Sequence, residues 1–236
     1  MVYNWLNYVH SALFPHSCLV CGQHVIGSQN LCPCCTTELP FNRYACIRCG
    51  LSLVQNSGFV CGECQQHPPF FDRAFVPFNY TIPFNHFIPA LKFKHKLEYA
   101  RLMSELFIRE YEQHYTKDEG ASPQCIIPVP LHPKRLRQRG FNQSLEISRS
   151  IATYLDLNID LTAIKRIKNT DAQSELDKSK RKHNMQNAFE ISNALPYTHV
   201  IVFDDVITTG YTVNEIARIL KRSGVTTVEV WAITRA

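Results

Sequence analysis

The chain has 236 residues, 45% of them hydrophobic and 19% charged, with only nine glycines, which fits a globular protein and excludes a disordered or collagen-like one. Its formal charge of +5 and pI near 8.7 permit anionic ligands such as phosphates or nucleic acid without requiring them. No apolar run approaches the roughly 18 residues of a membrane-spanning helix, and the opening MVYNWLNYVHSALFPHSC lacks the positive n-region of a secretory signal. The expectation is a cytoplasmic protein without membrane insertion.

Trp5, Leu6, Val9 and Leu13 fall at helical spacing, and Pro15 ends that pattern. A cysteine-rich segment follows. Nine of the ten cysteines lie before residue 65, and only Cys125 lies beyond. Four C-x-x-C pairs occur, Cys18/Cys21, Cys32/Cys35, Cys46/Cys49 and Cys61/Cys64, where random placement of ten cysteines gives about 0.4 such pairs. A two-residue spacer lets two thiolates face one ion from a tight turn, and two such turns supply the four soft ligands of tetrahedral Zn²⁺. The pair starts at 18, 32, 46 and 61 read as a duplicated unit, two zinc ribbons in sequence order, with a crossed pairing of the turns as the alternative. Gly22, Gly50 and Gly62 accompany three of the pairs, as tight turns require. Cys34, His16, His24 and His67 are alternative ligands nearby. Metal that staples a segment too short for its own core is the leading reading. Disulfides conflict with a reducing compartment, and a redox role for C-x-x-C lacks a thioredoxin-like βαβ context.

After the linker QQHPP the chain changes character, giving an N-terminal helix and double ribbon over 1–67 and a second domain over 70–236. FDRAFVPFNY has strand composition, residues 84–95 mix a helical pattern with LKFKHK, and 98–115 form an amphipathic helix burying Leu102, Leu106 and Phe107. TKDEGASP is a loop by composition. From there strand CIIPVP, helix FNQSLEISRSIATYL, a short strand near 161–167, a polar basic stretch, strand HVIVFDD, helix VNEIARILKRSG and strand TVEVWAIT alternate. Such alternation predicts an α/β fold, a mostly parallel sheet with helices on both faces, in which ligands collect at the carboxyl ends of the strands.

That rule points to residues 204–212. The apolar strand Val200–Phe203 runs into Asp204 and Asp205, then a Thr/Gly loop, then a helix carrying Asn214 and Glu215 in its expected first turn. Adjacent carboxylates can each accept a hydrogen bond from one of two vicinal hydroxyls, the geometry of a ribose. Thr208, Thr209, Gly210, Tyr211 and Thr212 offer amides and hydroxyls at a helix start, where a phosphate is favoured. Neither a G-x-x-x-x-G-K-[ST] loop nor a G-x-G-x-x-G fingerprint is present. A bland reading, a capped turn between strand and helix, competes for the Asp-Asp dipeptide alone.

The whole string VIVFDDVITTGYT resembles the phosphoribosyl-pyrophosphate (PRPP) motif of type I phosphoribosyltransferases, and VPLHPKRLRQRGFNQ at 129–143 resembles the hallmark of the ComF family of competence-associated proteins. The cysteine-rich module and the run Gln173, Leu176, Arg181, Asn184, Phe189 are similar to the same family. The resemblance implies a type I phosphoribosyltransferase-like sheet preceded by the zinc module. It implies that Asp204 and Asp205 hold the ribose hydroxyls and that Thr208 to Thr212 cradle the 5′-phosphate. Pyrophosphate is expected near Leu131, His132, Pro133 and Lys134, with Arg135, Arg137 and Arg139 adding charge, and Mg²⁺ arrives with PRPP. Transfer would pass through an oxocarbenium-like state at C1′, served by positioning and electrostatics without an enzyme nucleophile, with the aromatic segment 75–87 as a hood over C1′. The acceptor has no signature in the sequence.

Residues 130–185 carry twelve Lys or Arg against six Asp or Glu, including KRLRQR and KSKRKH. Such runs are ordinarily solvated surface, but the second fits a closing loop or a single-stranded backbone. Tyr44, Phe59, Phe70 and Phe71 fit base stacking or, more blandly, burial. The ComF resemblance implies a role in natural transformation, handling incoming single-stranded DNA with competence and recombination proteins as partners. Two functions follow: a phosphoribosyltransferase, hence a glycosyltransferase, acting on an unidentified acceptor, or a non-catalytic PRPP-responsive nucleic-acid-binding protein. A redox thiol switch is a third.

Overall fold

A computed structural model of the chain describes residues 16–25, 30–54, 58–115, 122–169, 187–192 and 195–236. The helical pattern around Trp5–Leu13, most of the TKDEGASP loop, the KSKRKH run and Gln173, Leu176, Arg181 and Asn184 lie outside these residues. The chain forms two compact units, Met1–Pro40 and Phe41–Ala236.

In the smaller unit, β1 (His16–Ser17) pairs antiparallel with β2 (His24–Val25), and α1 (Pro33–Thr37) follows. Cys32 caps α1, accepting from the Cys35 amide at 3.4 Å, with Pro33 as first helical residue. In the larger unit the same plan recurs. Gly22 N donates to Cys18 O (2.8 Å), and Gly50 N to Cys46 O (2.7 Å). Cys61 stands at the N-cap of α2 (Gly62–Gln66), as Cys32 does at that of α1. The duplication visible in the cysteine spacing is thus a repeated knuckle plus a short helix. Gly22 and Gly50 have φ of +76° and +71°, and a Cβ on Gly50 would lie 2.6 Å from Val76 Cγ2, so only glycine serves there. Gly62 sits in a helix and needs no such freedom.

The second cysteine segment packs into the larger unit. Asn42 N donates to Pro77 O (2.8 Å), Ala74 N to Ile47 O (3.0 Å), and buried Asn42 Nδ2 bridges to Gly50 O (2.8 Å) and Val76 O (3.1 Å). The compact units therefore part after Pro40, whereas the linker composition sets the second domain near residue 70.

The main sheet contains β3 (Arg73–Phe75), β4 (Phe78–Asn79), β5 (Cys125–Pro128), β6 (Asn158–Ile159), β9 (His199–Ile207) and β10 (Thr227–Arg235). Their order is β3-β10-β9-β5-β6, with β4 continuing beside β10, and every pairing is parallel. The antiparallel pair β7 (Ile164–Arg166) and β8 (Phe189–Ile191) stands apart from it. Helices are α3 (Phe84–Lys94), α4 (Leu97–His114), α5 (Pro133–Arg139), α6 (Gln143–Leu155) and α7 (Tyr211–Arg222).

Parallel strands buried on both faces read as continuous apolar runs, as β9 and β10 do. Val200, Val202, Val228 and Val230 share one core cluster with Val213, Ile216, Ala217 and Leu220 of α7. The alternate residues Phe203 and Trp231 meet Phe107 of α4, with ring centroids 5.8 and 5.6 Å away. Ser104 Oγ of α4 donates to Ile147 O of α6 at 2.8 Å, so both helices cover that second face. The result is a mixed α/β fold with helices on both faces of a parallel sheet and a cysteine-rich module ahead of it.

The aromatic segment 75–87 does not form a hood. Phe78, Phe84 and Phe87 are buried, and Phe75 packs edge-on against Phe107, Tyr111, Tyr115 and Trp231. These rings belong to the core because strand and helix alternation turns each of them inward.

Candidate functional site

The chain leaves β5 outward to β6 and returns to the other side of β5 as β9, so strand order reverses between β5 and β9. Crevices at such reversals, outside the carboxyl ends, are where open α/β sheets bind ligands. Pro128 pairs with Phe203, and Val129 N donates to Phe203 O at 2.8 Å. Asp204 and Asp205 therefore come immediately past the level where β5 ends, although β9 itself continues to Ile207 beside β10.

The segment RGFNQS assembles around these two carboxylates. Gly140 ends α5 in a left-handed conformation, and Asn142 caps α6 by accepting from Ser144 N (3.1 Å) while donating to Val129 O (3.0 Å). That tether aims the first turn of α6 at β9. Ser144 Oγ donates to Asp204 Oδ1 (2.9 Å), and Gln143 Nε2 to Asp205 Oδ1 (3.1 Å). Arg139 reaches Gln143 Oε1 at 2.5 Å and lies 5.5 Å over the ring of Phe93. Lys92, in the last turn of α3, pairs with Asp205 Oδ2 at 2.5 Å.

Burial, then the neighbouring Asp205, pushes the Asp204 carboxyl up to about 7 against the pull of Lys92 and Ser144. Burial lowers the Arg139 guanidinium, with Asp205 opposing and Arg135 adding to the shift. Arg166 on β7 is likewise lowered by burial and by Arg135, with Asp204 opposing. Arg135 and Arg139 share a face of α5 at i, i+4, whereas Arg137 is exposed half a turn away. Lys92 thus pairs with Asp205, Arg139 and Arg166 lie within electrostatic reach of Asp205 and Asp204 respectively, and Arg135 lies within reach of both arginines.

Other expected positions have structural work. His132 caps α5, its Nδ1 accepting from Lys134 N at 3.3 Å, and Pro133 begins that helix; Leu131 is half-buried and Lys134 exposed. Thr208 is exposed, and Thr209, Gly210, Tyr211 and Thr212 are half-buried at the start of α7. Gly210 is its N-cap at φ +77° and supplies no side-chain cap. Asn214 Oδ1 accepts from Phe70 N (2.7 Å), and Glu215 pairs with Arg218 (2.7 Å). Lys92 and Arg166 carried no signal in the sequence, because each sits in an element whose pattern reads as packing.

The cysteines form two groups in sequence order, Cys18, Cys21, Cys32 and Cys35, and Cys46, Cys49, Cys61 and Cys64, with Sγ atoms within 4.8 Å of one another in each. The crossed pairing is not adopted. All ten thiols are free, and the Cys21–Cys32 and Cys49–Cys61 Sγ separations are both 3.7 Å. Four thiolates at about 2.3 Å from a tetrahedral ion lie about 3.8 Å apart, so the residues fit Zn²⁺. Burial pushes Cys49 up to about 11, while backbone amides outweigh burial at Cys18 and bring it down to about 6. Crowded thiols of this kind ionise together only around a cation. Cys34 is exposed and outside both groups, as are His24 and His67.

Residues 9–65 match the family model described as a double zinc ribbon domain. The chain is similar to DNA utilization protein YhgH of Shigella flexneri, 34% identical over 94% of this chain and 97% of the relative. It is 33% identical to competence protein F of Haemophilus influenzae, over 94% of this chain and 98% of that protein. Competence protein ComFC of Streptococcus pneumoniae is 23% identical over 92% and 99%. With a crevice at a strand-order reversal, paired four-cysteine centres and this near full-length similarity, the chain belongs to the ComF/YhgH family.

Proposed function

We propose that the chain binds PRPP in the crevice at the carboxyl ends of β5 and β9 and serves DNA handling in natural competence. The observation that carries this reading is the meeting of Asp204 and Asp205, the Gly210-capped start of α7 and four cations at one sheet end. Asp204 uses Oδ1 for Ser144 and the Asp205 amide (both 2.9 Å), which leaves Oδ2 for a ribose hydroxyl. Asp205 accepts from Gln143 through Oδ1 and is ion-paired with Lys92 through Oδ2, and would share its carboxylate with the second hydroxyl. Thr208 to Thr212 would hold the 5′-phosphate, and Arg135, Arg139, Arg166 and Lys92 the pyrophosphate. Mg²⁺ bound with PRPP would supply charge neutralisation at the leaving group. In phosphoribosyl transfer the C1′–oxygen bond to pyrophosphate breaks and a C1′–acceptor bond forms; the two aspartates offset developing charge on the sugar. The relatives named for competence and DNA utilization support the cellular role. Calorimetric titration with PRPP and Mg²⁺ tests it: saturable binding lost in Asp204→Asn is expected, and no heat with wild type ends the reading.

The second reading, a PRPP-responsive single-strand-binding protein without transfer, is favoured by the exposure of Tyr44 (52%), Phe59 (79%) and Phe70 (51%) on the second cysteine segment and its exit, with exposed Arg48 among them. Stacking on aromatic rings with nearby cations suits single strands. Phe71, by contrast, is buried. Salt-sensitive DNA binding that persists in Asp204→Asn, without pyrophosphate release, distinguishes this reading.

A further inference from the structure

We infer that Arg235 is a positioning residue that locks the loop over 207–210 to the second cysteine centre, so that metal in that centre sets how firmly the loop is held. The functional weight of this rests on the reading of 208–212 as a phosphate cradle. Arg235 ends β10 in register with Ile207. Its Nε donates to Cys49 O (3.3 Å), and its Nη1 donates to Ile207 O (3.0 Å), to Thr208 O and to Ala236 O (2.5 Å). One planar guanidinium therefore spans a cysteine knuckle and the residues entering the loop, a reach that a point-charge ammonium on a single nitrogen lacks.

A second tie lies on the far side of the loop. The chain leaving α2, which carries Cys64, donates from Phe70 N to Asn214 Oδ1 in the first turn of α7 at 2.7 Å. Both halves of the centre thus grip the loop, one before Gly210 and one after it. Between them is a cavity of about 650 Å³ lined by Cys61, Cys64, Thr209, Gly210, Tyr211 and Arg235. Metal binding fixes the knuckle that presents Cys49 O, since ligation free energy is folding free energy for such turns. Loss of metal frees that carbonyl, and the guanidinium loses one of its anchors.

Hydrogen exchange on the full chain tests this without reference to any ligand. The amides of 207–214 are followed in wild type and in Arg235→Lys and Arg235→Gln, each zinc-loaded and after chelation, with zinc content measured throughout. Chelation of wild type is expected to speed loop exchange at least about tenfold, the worth of one charged hydrogen bond. The zinc-loaded variants are expected to show the same gain with full metal content and little more on chelation. Unchanged loop exchange in the zinc-loaded variants, zinc loss caused by the substitutions themselves, or equal further gains on chelation in variants and wild type would each overturn the inference. PRPP titration of the same samples separates the two claims, because a coupled loop that ignores PRPP removes the phosphate reading and leaves the clamp.

Discussion

Asp204 carries a cost that its neighbours only partly offset. Its carboxyl sits at about 7 because of burial and then Asp205, against about 4 in an unfolded chain. The folded chain holds the extra proton between those values, so the stability present below pH 4 is lost as pH rises through 7. Asp204→Asn keeps an acceptor for Ser144 and removes the titration. It is expected to unfold at higher urea than wild type at pH 8, by on the order of 1–2 kcal/mol after screening by partial exposure, while the difference vanishes near pH 4. Glu229 behaves oppositely. Burial alone would raise it, but hydrogen bonds from His199, Arg73 and Tyr115 hold it down to about 2 from 4.5, and Trp231 Nε1 adds a fourth at 2.9 Å. Its contribution, on the order of 3 kcal/mol, is fully present above pH 4.5 and lost as pH falls through about 2. Glu229→Gln should therefore flatten the acid limb of a pH–stability curve and lower neutral stability by several kcal/mol, leaving the half-buried Arg73 without its carboxylate.

Among the elements, α6 does the most to shape the crevice. Asn142 both caps it and tethers it to the end of β5. Asn142→Ala is expected to cost about 1–2 kcal/mol in urea unfolding and, by loosening Gln143 and Ser144, to weaken PRPP binding, read by calorimetry. Gly210→Ala at φ +77° meets no close atom beyond Ile207 Cγ2 at 3.9 Å, so its expected cost of about 1 kcal/mol is backbone strain. The strands 199–207 and 227–235 and the helices 97–114 and 143–155 were legible because their apolar periods are long. Helix α5 was hidden: PKRLRQR has no buried residue and hence no period. Its boundaries were nevertheless written in Pro133 and Gly140.

At the scale of the molecule, the paired ribbons of the sequence serve different compact units. Cys18 to Cys35 lie within Met1–Pro40, and Cys46 to Cys64 lie within Phe41–Ala236. Cys61→Ser is expected to lower the melting temperature of the large unit by roughly 10 °C or more, as loss of a structural metal does, whereas Cys32→Ser leaves that transition in place. Each variant should retain one zinc in place of two, read by metal analysis. Acidification should release both ions, since the ligands must be thiolates.

By itself the amino-acid order determined the alternation of strands and helices, the eight cysteines suited to metal and the acidic pair ahead of a Thr/Gly loop and helix. These are written in local spacing, where period and turn chemistry act over a few residues. Tertiary structure alone decided that Lys92 pairs with Asp205, that Phe75, Phe78, Phe84 and Phe87 pack into the core, and that Arg235 reaches across to Cys49. Each of those depends on which face a distant element presents, and packing of the whole sheet, not any local pattern, sets that choice.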